Sequence, residues 1–320
     1  MDLPPVTSDL LNQVDLKIDN SFSTTWKRIG FNNLLRQAKF SKRSGTPVGD
    51  VTYLLMLWVW LKVESVAMFS RDSLLSFSAT KKDALYELLN REDLDWRKLQ
   101  RLTAKKVLNA NGKSQLSAFV IDDTVKTRRG KKMPGVSSHF DHLTARCVMG
   151  QQVVTLGVAN GEQFVPVDNE LFISQTKQQE VGYRFNDGGS IAAKRYQQSK
   201  QQTKPQMVCD MVARAIRGGI NADYFLADAW FATKPILRMT ITHSLVAIVR
   251  MKKNKNKMKK YLRSMRCAGG LKFTSRKPAK ARFFKRAKPP LQCLYCLNAP
   301  DRPQVLHVTA CQARRRRGKA

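Results

Sequence analysis

Glutamate disappears from this chain after Glu180. From Ala229 to Ala320 a single acid remains, Asp301, against 25 lysines and arginines. That lack leaves the last 92 residues at +24 and the whole chain at +33, with an isoelectric point near 10.3. So large a positive excess points to a polyanionic partner, and counterion release favours nucleic acid over an anionic membrane. Long hydrophobic runs are missing too. The longest, Val51–Leu61, has eleven residues where a spanning helix needs about twenty. It reads as a buried core helix. Met1-Asp-Leu-Pro-Pro has neither a basic nor an apolar leader region, so a cytoplasmic location is expected. The six cysteines are then expected as thiols rather than disulfides.

What is present changes character along the chain. Residues 1–112 read as helical. Ser23 or Thr24 is placed to cap a helix carrying Trp26, Ile29, Leu34 and Leu35. Pro47 and Gly49 break the chain before an apolar helix over 51–69. Thr80 with Asp83 resembles a capping box ahead of Ala84, Leu85, Leu88 and Leu89. Trp96, Leu99, Leu102, Val107 and Leu108 keep helical spacing, and Asn109-Ala-Asn-Gly112 ends the region. A plain helical bundle and a nucleic-acid-contacting domain both fit.

Beyond residue 112 the period shortens. Ser117–Ile121 and Arg146–Val158 read as strands, and Asn160-Gly161 as a hairpin turn into a third strand near Gln163–Val167. A long polar, basic segment follows. Pro205–Ile216 is an amphipathic helix stopped by Gly218-Gly219, Ala222–Asp228 a strand ending in an acid, Thr233–Thr240 a helix, and Ser244–Arg250 a last strand. The order β-β-β-α-β-α-β resembles the ribonuclease-H-like arrangement. That resemblance implies that the first and fourth strands are neighbours, bringing the acids at their ends together. The expected class is α/β: a helical region 1–112, an incomplete ribonuclease-H-like core 113–252 with a mixed sheet, and a basic, poorly ordered tail 253–320.

The acids are Asp122-Asp123, at the end of Phe119-Val-Ile, and Asp228, at the end of Phe225-Leu-Ala. Magnesium and manganese prefer oxygen ligands and keep several waters. Carboxylates converging from rigid strand ends could hold such ions, activating an attacking oxygen and stabilising a leaving oxygen at a phosphodiester. An Asp-Asp-Thr turn with no chemistry is the plain alternative.

Four blocks, in order, are similar to the DDE transposases of bacterial insertion sequences, in the group whose last motif reads Y-x2-R-x3-E-x6-K. They are Phe119-Val-Ile-Asp-Asp-Thr124; Gly130-Lys-Lys-Met133 with Gly135-Val and His139-Phe-Asp-His142; Gly161-Glu-Gln-Phe-Val-Pro-Val167; and Leu226-Ala-Asp-Ala-Trp-Phe231. The resemblance implies that Asp123, which precedes Thr124, and Asp228 are catalytic and ligate Mg²⁺ or Mn²⁺, with Asp122 a turn or supporting residue. It implies double-stranded DNA as partner, at element ends and target, a dimer on that DNA, and a bacterial, nucleoid-associated location. Lys126, Arg128, Arg129, Lys131 and Lys132 are candidate phosphate contacts.

The chain departs from that family at its third acid, a glutamate beyond the fifth strand. Asp301 lies between Pro300 and Pro303, where a catalytic helix is disfavoured. Either the tail is a genuine basic extension, or its reading frame shifts near residues 262–270. An inactive DNA-binding chain that occupies element ends or inhibits the full-length enzyme is the alternative to an active transposase. Cys293, Cys296, His307 and Cys311 have near zinc-finger spacing. His139 and His142 read as loop histidines, and Met251–Lys260 as a solvated charge run.

Overall fold

The structure, a computed structural model, describes residues 20–110, 112, 116–128, 133–141, 145–160, 163–174, 185–250 and 294–297. It divides into two compact units. One holds residues 1–113, 130–136 and 178–201, the other 114–129, 137–177 and 202–320. No helix among the described residues is long and apolar enough to cross a membrane.

The first unit is helical. Its elements are α1 (20–29), α2 (Phe31–Gln37), α3 (Val48–Trp60), α4 (Val66–Asp72), α5 (Leu74–Phe77), α6 (Lys82–Leu89), α7 (Trp96–Ala110) and α8 (Ile191–Gln201). Leu34, Leu35, Val51, Leu54, Leu55, Phe69, Leu85, Leu88 and Leu99 form its core. The expected helix over 51–69 is two helices. Lys62 turns left-handed at φ 56°, and the Ser65 hydroxyl then accepts the Met68 N–H at 3.2 Å to start α4. The expected Thr80 capping box does not form, because the Ser78 and Thr80 hydroxyls bond each other at 2.7 Å and α6 starts after Lys81. Ser23 and Thr24 lie inside α1 rather than capping it, and Thr24 donates back to the Asn20 carbonyl at 2.8 Å.

One anchor of this unit joins residues far apart in sequence. Glu92, between α6 and α7, accepts the N–H of Asn186 at 3.0 Å and of Asp187 at 3.1 Å, and the Ser190 hydroxyl at 3.4 Å. Its own carbonyl takes the Ala192 N–H at 3.0 Å. The polar segment before and within α8 is thereby fixed to the α6–α7 loop.

The second unit is a mixed sheet with helices. Its strands are β1 (Ala118–Thr127), β2 (Val136–Asp141), β3 (Arg146–Ala159), β4 (Phe164–Phe172), β5 (Tyr224–Ala227), β6 (Val246–Arg250) and β7 (Leu294–Leu297). The order is β2-β3-β1-β5-β6-β7, with β4 also pairing β3. β1, β3 and β4 are antiparallel, while β5 and β6 run parallel to β1. Without β2 and β7 the order β4-β3-β1-β5-β6 is the ribonuclease-H-like one. The short strand β2 was not expected. β7, antiparallel to β6, is the described part of the expected tail. Helix α9 (Lys204–Arg217) packs on β3 and β4 and buries Met207, Val208, Met211, Val212 and Ala215. Helix α10 (Lys234–Thr242) packs beside α9 and on β6.

Candidate active site

β1 does not end at its acids. It runs on to Thr127, because the fourteen-residue β3 supplies partners as far as Gly150. The parallel neighbour on the other side stops first: Ile121 pairs Ala227, the last residue of β5. The acids of β1 therefore begin where the sheet loses one neighbour, and Asp228 leaves β5 at that same level. Strand neighbours lie about 4.8 Å apart, so the topology brings these carboxylate-bearing positions to one edge.

Alternation separates the two acids of β1. Phe119 and Ile121 are buried, and Asp123 continues their face, half-buried. Asp122 is exposed, and its Oδ1 accepts the Asp123 N–H at 2.8 Å. Asp228 is exposed, and its Oδ1 accepts the N–H groups of Trp230 at 2.8 Å and Phe231 at 3.3 Å, which shapes the turn after β5.

Lys204, which no motif singles out, meets Asp123. Its Nζ lies 2.5 Å from Asp123 Oδ2, with the lysine side chain 7% exposed and the aspartate 25%. The same Nζ stands 4.8 Å from the Phe172 ring centroid and 4.5 Å from that of Trp230. Lys204 is the first residue of α9, a position where the helix dipole disfavours a cation. The carboxylate and the two ring faces offset that cost and the loss of water. Thr203 supports the helix start, giving its N–H and hydroxyl to Gln206 Oε1 at 2.9 and 2.8 Å.

Other carboxylates on the α9 face are engaged elsewhere. Asp123, Val154 and Glu170 form one row across β1, β3 and β4. Glu170, however, is bound by Arg214 Nη2 at 2.8 Å, and fully buried Asp168 by Arg214 Nε at 2.9 Å. A D-x-E spacing on a strand puts both acids on one face, the signal by which this clamp could have been found.

Of the candidate phosphate contacts, Lys126 is exposed near the end of β1. Arg128 donates from Nε to Gln151 Oε1 at 3.1 Å. Arg129, Lys131 and Lys132 lie outside the described residues, as do His142 and the charge run 251–260. His139 sits in β2, paired with the Ser137 hydroxyl at 2.9 Å. Three of the four candidate zinc ligands, Cys293, His307 and Cys311, are outside the described residues. Cys296 falls in β7.

Asp123 Oδ1 and Asp228 Oδ2 accept no hydrogen bond from the described residues. Two carboxylates with open oxygens are hard donors and fit a divalent ion of the magnesium type, which keeps several waters. No three histidine, cysteine or carboxylate groups converge on an ion among the described residues.

A mixed sheet of this order, with acids where β1 and β5 part, is a core of the ribonuclease-H-like type. The family model of the DDE superfamily endonucleases matches residues 62–293, more than half of the chain, and the chain belongs to that family. Among solved structures it is similar to the Drosophila P element transposase strand transfer complex, at 10% identity and a TM-score of 0.32 over 80% of this chain. It spans about half, 52%, of that protein. No curated protein matches it.

Proposed function

We propose that the chain is a DDE-type transposase of a bacterial insertion sequence, of the group with the Y-x2-R-x3-E-x6-K motif, acting on double-stranded DNA at element ends and target. The carrying observation is the register that ends β5 at Ala227 beside Ile121, so that Asp228 and the acids of β1 share one sheet edge. Asp123 and Asp228 hold Mg²⁺ or Mn²⁺. Such an ion supplies Lewis-acid activation of the attacking oxygen and charge stabilisation at the leaving oxygen. Water is the first nucleophile and the freed 3′-hydroxyl the second. Lys126, Arg128, Arg129, Lys131 and Lys132 contact phosphates, the helices of 1–112 contact element ends, and two chains act together on paired ends.

The chain carries two of that family's three acids, and no glutamate follows Glu180. This favours a second reading, an inactive chain that occupies element ends or inhibits the full-length enzyme. Purified protein is mixed with labelled element-end DNA in Mg²⁺ and in Mn²⁺. Nicking that disappears in Asp123→Ala supports the enzyme. Salt-sensitive binding with no nick in either ion supports the inactive occupant. No binding at all contradicts both.

A further inference from the structure

The lysine on Asp123 has no part in the proposed chemistry, yet it stands on the acid that chemistry needs. Lys204 is nearly buried at the start of a helix, a position that disfavours its charge. What sustains it is one carboxylate oxygen and the faces of Phe172 and Trp230. Trp230 in turn gives its N–H to Asp228, the other acid. One ammonium thus touches the first acid and the loop that shapes the second.

We propose that Lys204 is an internal counter-cation that competes with the divalent ion for Asp123. The inference rests on the metal-site reading of Asp123 and Asp228. Whichever oxygen of Asp123 the divalent ion takes, it shares that carboxylate with the ammonium on Oδ2, and two cations at one carboxylate repel. Ion loading therefore loosens the hold of the ammonium on Asp123, and the ammonium in turn weakens the ion. Without an ion, Lys204 neutralises Asp123, so the acid edge does not repel a phosphate backbone. The device differs from the Arg214 clamp in its chemistry. An ammonium on a flexible stem can leave, whereas a guanidinium fork on two carboxylates is held at both ends.

The test is Mn²⁺ affinity of the full chain by calorimetry, with Lys204→Met, Lys204→Gln, Asp123→Asn and Asp228→Asn. The expected result is tighter binding, on the order of tenfold, in both lysine variants, the scale on which a neighbouring charge biases a carboxylate. A merely structural lysine would leave affinity unchanged or weaken it. Either of those outcomes, with binding still lost in the aspartate variants, overturns the lysine inference alone. Binding that survives in both aspartate variants overturns the metal-site reading and this inference with it. If the lysine variants fail to fold, the ammonium ¹H–¹⁵N signal of Lys204 in the wild-type chain decides. A signal that moves as Mg²⁺ saturates the site supports the competition, and one that stays overturns it.

Discussion

Helix α9 carries a cation to an acidic strand position at each end, and the two ends differ. At its C-terminal end Arg214 forks onto Asp168 and Glu170, both buried, with the arginine itself 13% exposed. The dipole favours a cation there, and the planar fork matches two carboxylates. At its N-terminal end Lys204 meets Asp123 singly, against the dipole, beside an edge where β5 has stopped. The first arrangement is a fastening. In the second, the charge is held where a stabilising design would not put it, beside the two acids proposed to hold metal.

Breaking the fastening gives the largest effect expected here. Arg214→Leu takes the guanidinium away from two buried carboxylates, and urea unfolding should show a loss of about 3–5 kcal/mol. A loss below about 1 kcal/mol would mean that the clamp does not hold α9 on β4. Glu92→Ala in the helical unit removes the acceptor of several hydrogen bonds from residues 186–190. A loss of about 1–3 kcal/mol is expected, with faster amide exchange at Asn186 and Asp187. Unchanged exchange there would count against the anchor.

The smallest effect concerns the middle of α9. Burial, with the nearby Asp210 charge, pushes the Cys209 thiol up to about 11 from an ordinary value of 9.0. The unfolded thiol therefore ionises first, and stability falls as pH rises from about 9 to about 11. Peptide mapping after alkylation at pH 8 should find exposed Cys147 modified and Cys209 spared until the chain unfolds. Equal labelling in the native state would contradict the raised thiol of half-buried Cys209.

The sheet core was legible in the sequence because its signals are local. Alternating Val and Leu in 146–158, the Asn160-Gly161 turn and the acid-ended Phe225-Leu-Ala run all lie within single elements. The acids stand in local motifs as well, and the fold brings their positions to one sheet edge. Less legible was where β1 ends. Asp-Asp-Thr reads as a turn, yet β3 is long enough to pair these residues and carry the strand onward. β2 escaped because Val-Ser-Ser-His-Phe-Asp is short and mostly polar. Lys204 could not be found among 57 lysines and arginines, since only the fold brings it to Asp123. The same holds for Glu92, whose partners lie more than ninety residues away.

The most direct test of the account is where a bound ion sits. Fe²⁺ substituted for Mg²⁺, with ascorbate and peroxide, cuts a polypeptide backbone beside the ion it replaces. Cuts at residues 122–124 and 227–229, suppressed by excess Mg²⁺ and lost in Asp123→Asn, are the predicted result. Cuts elsewhere, or cuts indifferent to Asp123 and Asp228, would contradict the assignment of these two acids as the metal site.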